Sequence, residues 1–173
     1  MSEIWDLYDK DRKPLGITHE RGVPLKRGTY HIAVGIWTVN SKGEVLLTLR
    51  SDKKRDWPNR WENTAGSVLT GETSREGAVR ELFEETGIKV KEDELTLIAS
   101  ERTRNAFGDC YMLKKDVPIE NIVLQDGETA DAMWVSLSTL DRMIEEGLIA
   151  DPVKNRLKKI RTEFENFILK GNK

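Results

Sequence analysis

The run from Gly66 to Ile88, GSVLTGETSREGAVRELFEETGI, decides how the rest of the chain is read. It sets Gly66, Glu72, Arg80, Glu81, Glu84, Glu85 and Gly87 in the order G-x5-E-x7-R-E-L-x-E-E-x-G-I. Thr73-x-x-Glu76 is a capping box and Gly87 supplies a C′ residue, so the spacing predicts a helix between them. On that helix Glu81, Glu84 and Glu85 stand at i, i+3 and i+4 and share one face. Like charges so placed repel by about 0.2–0.5 kcal/mol per pair. A hard divalent cation such as Mg²⁺ turns that repulsion into a binding site, because it takes oxygen ligands. Val79, Leu82, Phe83 and Thr86 are expected to pack on the opposite side, so that one face packs and the other binds. Arg80, preceding Glu81 and beside Glu84, is placed to orient a carboxylate by charge-assisted hydrogen bonding. Gly66 and Gly71 bracket a strand-to-helix loop that can turn a backbone carbonyl toward the same ion. Three clustered glutamates alone would be read as a solvated acidic face. Seven positions matching at once, each with a chance of about 6 %, would not.

This run is similar, without a miss, to the sequence box of the Nudix hydrolases, and weaker resemblance extends from Trp5 to about Leu140. The resemblance implies an α/β/α sandwich with a mixed β-sheet. It also implies Mg²⁺-dependent cleavage of a diphosphate linkage, with Mn²⁺ as a substitute, in a nucleoside diphosphate joined to another group. Carried over by position, Glu81, Glu84 and Glu85 are the metal-ligating or base glutamates. Ala65 lends its backbone carbonyl to a metal, Arg80 holds Glu81, and Glu72 is a more distant acid.

Composition agrees with a compact enzyme. A chain of 173 residues, 34 % of them charged, suits one domain spanning 1–173. Within it, 1–28 reads as a strand and turn extension, 66–88 as the box and 138–169 as C-terminal helices. A net charge of −2 argues against a nucleic acid polymer as partner. No apolar run reaches membrane-spanning length, and MSEIWDLYDK lacks the basic start and apolar core of a signal peptide. Cys110 is the only cysteine, which excludes an internal disulfide and suits a reducing cytoplasm.

Strand candidates are Glu3 to Tyr8, a hairpin of Ile32 to Val39 and Glu44 to Leu49, Glu62 to Leu69, a pair at Leu95 to Arg104 and Asp109 to Lys114, and Ala132 to Val135. Pro14, Gly16, Gly22 and Pro24 mark turn material, and the segment Ser2 to Val23 is a candidate for homodimer formation. Helices are expected from Ser138 to Glu146 and from Pro152 to Leu169, the second with Asp151 as N-cap. Its Val153, Leu157, Ile160, Phe164 and Phe167 or Ile168 form a stripe facing the sheet.

Outside the box, Glu128 precedes Trp134 in the segment QDGETADAMW, where Nudix hydrolases often keep a further acid. It is a candidate fourth metal ligand or general base, with Asp126 and Asp131 as neighbours able to serve instead. Arg50, Lys54, Trp57 and Pro58 match the R-x3-K-x2-W-P pattern of isopentenyl diphosphate isomerases, whose arginine and lysine bind diphosphate. Those two residues are therefore candidate substrate ligands, since diphosphate cleavage needs cations on the non-bridging oxygens. The isomerase chemistry itself does not carry over, because its cysteine and histidine positions around the opening glycine hold Ala65 and Ser67. His31 is then a strand residue with a polar tip, and Trp5 and Trp57 are packing residues or base-stacking ones. A third alternative, a nucleotide-binding domain without catalysis, is disfavoured because the box is intact. In the expected mechanism Glu81 or Glu128 takes the proton from a metal-activated water that attacks one phosphorus in line.

Overall fold

The structure, a computed structural model, describes residues 2–170. Strand β3 (His31–Val39) is its centre, and alternation along this strand creates two cores. Ile32, Val34 and Ile36 face one layer; Trp37 and Val39 face the other. Strand β8 (Ala106–Lys114) runs parallel to β3 from His31↔Ala106 to Val39↔Lys114. Every other pairing in this sheet is antiparallel, including β7 (Thr96–Arg102) on the outer side of β8, so the sheet is mixed as expected.

After the turn at Asn40–Gly43, β4 (Val45–Arg50) is paired to β3 only at Val39↔Val45. The cause is β6 (Thr64–Ser67), which occupies that edge of β3 from Ala33 to Ile36. Strand β4 pairs instead with β5 (Trp61–Glu62) and β9 (Thr129–Val135). The sheet therefore forks. Asn63 stands at the fork, and its buried Nδ2 donates to the carbonyls of Ile36 and Thr64 at 3.2 Å each. The expected single strand from Glu62 to Leu69 is thus two short ones, and β9 begins earlier than expected.

Helix α1 (Ser74–Thr86) covers one face, with Ala78 and Leu82 packed in the layer of Ile32, Val34 and Ile36. Its capping box is formed: Glu76 N donates to Thr73 Oγ1 at 3.2 Å and Thr73 N to Glu76 Oε2 at 2.7 Å. Gly87 ends it in the left-handed region at φ 72°. One expectation fails here. Phe83 is 47 % exposed, while Glu81 is buried beside Ala78 and Leu82. The acidic and packed faces are adjacent rather than opposite, because Gly66 leaves room under the helix for a carboxylate.

Helices α2 (Leu137–Glu145), α3 (Asp151–Lys159) and α4 (Arg161–Leu169) cover the other face. The helix expected from Pro152 to Leu169 is interrupted at Ile160 (φ −107°, ψ 14°), yet Val153, Leu157, Ile160, Phe164 and Ile168 are all buried. A break of one residue leaves the apolar stripe continuous, so periodicity alone runs through it. Asp151 occupies the first helical position and Ala150 the N-cap, without a side-chain cap.

At the N-terminus β1 (Ile4–Tyr8) pairs with β2 (Pro14–Glu20), where turn material was expected. Strand β2 is exposed along nearly its whole length, so it carries no apolar alternation, and Pro14 is tolerated at the start of an edge strand. The hairpin docks through reciprocal Tyr8–Tyr30 backbone bonds of 2.7 and 2.9 Å, Thr70 N to Ile4 O (2.8 Å) and Gly71 N to Asp6 Oδ2 (2.9 Å). Among the described residues no helix is long and apolar enough to cross a membrane.

Candidate active site

The forked sheet, α1 and the segment before β9 enclose a cavity of about 160 Å³. Glu81, Glu84 and Glu85 reach it from α1, and Ala65, Gly66 and Ser67 from β6. Arg50 and Lys54 enter from the end of β4, Glu62 from β5, and Gln125, Glu128 and Thr129 from the segment leading into β9. Glu3 and Arg21 line it from the N-terminal hairpin. Of the residues singled out from the sequence, Arg50, Lys54, Ala65, Glu81, Glu84, Glu85 and Glu128 are therefore at one place, Arg80 and Glu72 stand behind the glutamates, and Asp126 and Asp131 are not part of the lining. A larger cleft of about 760 Å³ lies at residues 25–30 and 104–105, but its lining contains no acid. Chemistry rather than size picks the site.

Arg80 organises the acids. Its Nη1 donates to Glu81 Oε1 (2.9 Å) and Glu84 Oε2 (3.0 Å), and its Nη2 to the Ser67 carbonyl (2.8 Å). Glu72 holds it from behind, accepting Nε at 2.7 Å and Nη2 at 3.0 Å, and also accepts Leu69 N at 2.9 Å. Burial disfavours the Arg80 charge, but its bonds to Glu72 and Glu81 outweigh that and raise its pKa. Burial likewise pushes Glu72 up, and the Arg80 bond more than reverses it. The box glycine has a spatial reason: a Cβ at Gly66 would lie 2.0 Å from Glu81 Cδ.

Burial also pushes the Glu81 carboxyl above its usual range, against the pull of Arg80. Glu85 is raised much further, first by burial, then by the charges of Glu62 and Glu81. Its Oε2 is buried and has no hydrogen-bond partner. Among the described residues no three acids or imidazoles are already gathered as a closed metal centre. What the cavity does hold is an all-oxygen donor set of carboxylates, among them Glu81 and Glu85, whose charged forms burial disfavours, the latter with an orphaned oxygen. That set fits a hard divalent cation.

The basic residues are differently engaged. Arg50 donates Nη1 to both oxygens of Glu62 (2.7 and 2.9 Å), and Nε and Nη2 to the Asp56 carbonyl (3.0 and 2.8 Å). It therefore clamps the 51–60 segment rather than presenting an open fork to the cavity. Lys54 pairs with Glu128 across the cavity, and burial and then the Arg50 charge lower its pKa. Glu62, Glu3 and Arg21 were not singled out from the sequence. Glu62 and Glu3 each read only as the first residue of a strand candidate, and Arg21 lay in what read as turns, so none carried a site signal.

Other candidates lie elsewhere. Trp5 is buried and stacks on His31 (ring centroids 4.1 Å apart, 14° between planes), so it packs rather than offering a face to a base. Trp134 donates Nε1 to the Val117 carbonyl at 3.0 Å. Cys110 sits in the core on the α2–α4 side of the sheet, where burial pushes its thiol up to about 12.

A sequence profile described as the NUDIX domain matches residues 29–155. An uncharacterised Nudix hydrolase of Listeria monocytogenes is 36 % identical over 146 residues, spanning 84 % of this chain and 86 % of the relative. An isopentenyl-diphosphate Delta-isomerase of Salmonella heidelberg is 32 % identical over 85 residues, 49 % of this chain and 47 % of that one. The crystal structure of DR0079 from Deinococcus radiodurans superposes with a TM-score of 0.70 at 25 % identity, covering 86 % of this chain and 92 % of that one. A Francisella tularensis bifunctional NMN adenylyltransferase/ADP ribose pyrophosphatase, solved with AMP and a Mn ion, superposes at 0.63 and 18 % identity. That match covers 82 % of this chain and 43 % of the other.

Proposed function

The chain belongs to the Nudix family and is a pyrophosphohydrolase of that kind; from that premise we propose that it is a Mg²⁺-dependent enzyme cutting a diphosphate linkage in a small nucleoside diphosphate-type substrate. The observation that carries this is the meeting of Glu81, Glu84 and Glu85 with the Ala65 backbone in one cavity, with a buried Glu85 oxygen left unpartnered. Those four residues, joined by Glu128, would hold the metal. Mg²⁺ suits them better than Zn²⁺, since no Cys or His is among the lining residues. When bound, such an ion supplies charge neutralisation on the diphosphate and a more acidic water.

The chain's own residues do the rest. Glu72 fixes Arg80, and Arg80 fixes Glu81 and Glu84, so the carboxylates need little reorganisation when substrate arrives. Glu81 is one candidate for the general base, because burial moves its pKa toward the range where a base works near neutrality. Glu128 is the other; it would be released when Lys54 transfers its charge from Glu128 to a phosphate oxygen. Arg50 supports that exchange by fixing the segment that carries Lys54.

The isomerase reading is favoured by the half-chain match to the Salmonella enzyme and by Arg50, Lys54, Trp57 and Pro58. It lacks its catalytic cysteine here, since Cys110 lies on the far side of the sheet. The whole chain 1–173 is taken as one domain acting in a reducing cytoplasm.

The test is a screen of the protein with Mg²⁺ or Mn²⁺ against nucleotide sugars, dinucleoside polyphosphates, nucleoside di- and triphosphates and coenzymes. Cleavage at a diphosphate is expected, lost in chelator. Glu84→Gln should lower turnover by on the order of 10²–10³-fold with the fold intact, the scale of removing one electrostatic stabiliser. Silence across the whole panel, or turnover undisturbed in Glu84→Gln, would sink the proposal.

A further inference from the structure

Three cations line the cavity, and two of them are paired with acids of the same lining. Arg50 donates its side-chain nitrogens to Glu62 and the Asp56 carbonyl, and Lys54 is paired with Glu128. Arg21 is different. Its Nη1 donates to Glu3 Oε1 at 2.5 Å, while among the described residues its Nε and Nη2 donate to nothing in the protein. Six carboxylates line the same cavity, from Glu3, Glu62, Glu81, Glu84, Glu85 and Glu128. A diphosphate entering so acidic a place needs an accessible donor beside any metal, and a guanidinium with two free edges matches phosphate oxygens.

The position of Arg21 is set by the fold. It follows β2, and its backbone N–H donates to the Glu3 carbonyl at 2.9 Å, closing the open end of the hairpin. Glu3 is itself held by Trp5, whose Nε1 donates to Glu3 Oε2 at 3.3 Å and whose ring is buried on His31. The hairpin in turn is bonded to the loop entering α1 at Thr70 and Gly71. Arg21 is also near enough to Lys54 for its charge to disfavour the lysine's. Arg21, Glu3 and Trp5 all precede the NUDIX profile match, which begins at residue 29.

We propose that Arg21 is a substrate-binding residue, delivered by the N-terminal hairpin to grip a phosphate group of the diphosphate at the cavity rim. This rests on the hydrolase reading and assigns it a specificity element that lies outside the NUDIX profile match. Glu3 is the positioning residue: it holds one edge of the guanidinium and leaves the other two for substrate.

The experiment uses the full chain with Arg21→Ala, Arg21→Lys, Glu3→Gln and the double variant Glu3→Gln/Arg21→Ala. Kinetics are measured on the best substrate of the panel. Binding of imidodiphosphate, an uncleavable pyrophosphate mimic, is measured calorimetrically with Mg²⁺. For Arg21→Ala, KM is expected to rise about tenfold with kcat within about twofold, and the mimic to bind about tenfold more weakly. Arg21→Lys should recover part of the loss, because a point charge remains. The double variant should stay impaired, which separates a lost phosphate contact from the unneutralised charge of Glu3. Parent KM and parent affinity in Arg21→Ala would overturn the proposal, as would their return in the double variant. So would a fall in melting temperature large enough to account for the loss. If the parent cleaves nothing in the panel, the hydrolase reading fails by itself, and the mimic titration still decides Arg21.

Discussion

The two ends of α1 bury acid in opposite ways. Near its first turn lies Asp109 of β8, 3 % exposed, whose oxygens accept Arg12 Nη1 (2.8 Å), Arg12 Nη2 (2.5 Å), Ser74 Oγ (2.5 Å) and Ser100 Oγ (2.7 Å). Burial pushes its pKa up, but these donors outweigh it and the carboxyl ends below its usual range. Near the last turn lies Glu85, raised well above its usual range, with one oxygen lacking any donor. Both acids are inside the same protein, and the fold has supplied what one needs and not what the other needs. A buried acid that only ties elements together is saturated with donors, as Asp109 ties the N-terminal hairpin to β7, β8 and α1. One left short of donors among other acids is placed for something that arrives from outside.

The strongest way to break this contrast is to disturb the unsaturated end without touching a carboxylate. A Cβ at residue 66 would sit 2.0 Å from Glu81 Cδ and 2.1 Å from its Oε1, so Gly66→Ala must displace that carboxylate. Turnover should fall at least about 100-fold, the scale on which misplaced catalytic groups lose rate. The melting temperature should change little, because Glu81 moves toward water that it favours. Parent-like turnover in Gly66→Ala would show that Glu81's place does not matter, and the reading of that end would fail.

The saturated end should answer in the other currency. Asp109→Ala strands Arg12 and removes the acceptor shared by Ser74 and Ser100. Breaking a fully buried pair costs about 3–5 kcal/mol; Arg12 is 32 % exposed, so about 2–3 kcal/mol is expected here. Denaturant titration measures it, with kcat of the folded protein close to the parent's. A loss of kcat without a loss of stability would put Asp109 on the wrong side of the comparison.

How much of this was readable follows from how local each cause is. The helix, its Thr73–Glu76 box and its Gly87 stop depend on residues within one or two turns, and all are in place. Which side of α1 faces the sheet depends on Gly66 making room for Glu81, a contact across fifteen residues of chain, and that reading failed at Phe83. The fork in the sheet comes from β6 displacing β4 along β3, a competition between strands that no single segment displays. Arg50 and Lys54 were found by pattern, and the structure brings both to the cavity. Glu128 is legible too, by its place before Trp134, but its pairing with Lys54 and that of Glu62 with Arg50 join segments far apart in the chain, and those pairings stayed out of sight. Strand β2 and Arg21 hid for a simpler reason: the segment is exposed, and Pro14, Gly16 and Gly22 read as turns.

The smallest effect sharpens the contrast most, because the two acids then pull stability in opposite directions with pH. Glu85 has a folded-state pKa above the ordinary 4.5, so between that value and its raised one the folded protein binds more protons than the unfolded chain. Metal-free stability should therefore rise as pH falls through this window, by at most about 1.4 kcal/mol per pH unit for one proton. Asp109 has a depressed pKa, so its contribution is complete above the ordinary 3.8 and is lost only as pH falls below that, through the lower folded value. Urea midpoints in chelator from about pH 5 to about pH 8 sample the first window and miss the second. Glu85→Gln should reduce the parent's slope, leaving the part due to Glu62 and Glu81, whose carboxyls burial also raises, and Asp109→Asn should lower the whole curve and keep its slope. Adding Mg²⁺ should reduce the parent's slope as Glu85→Gln does, since a bound cation favours the ionised carboxylate that burial penalises. A slope that survives Glu85→Gln unchanged would mean the carboxylate is solvated after all, and the two ends of the helix would no longer differ in kind.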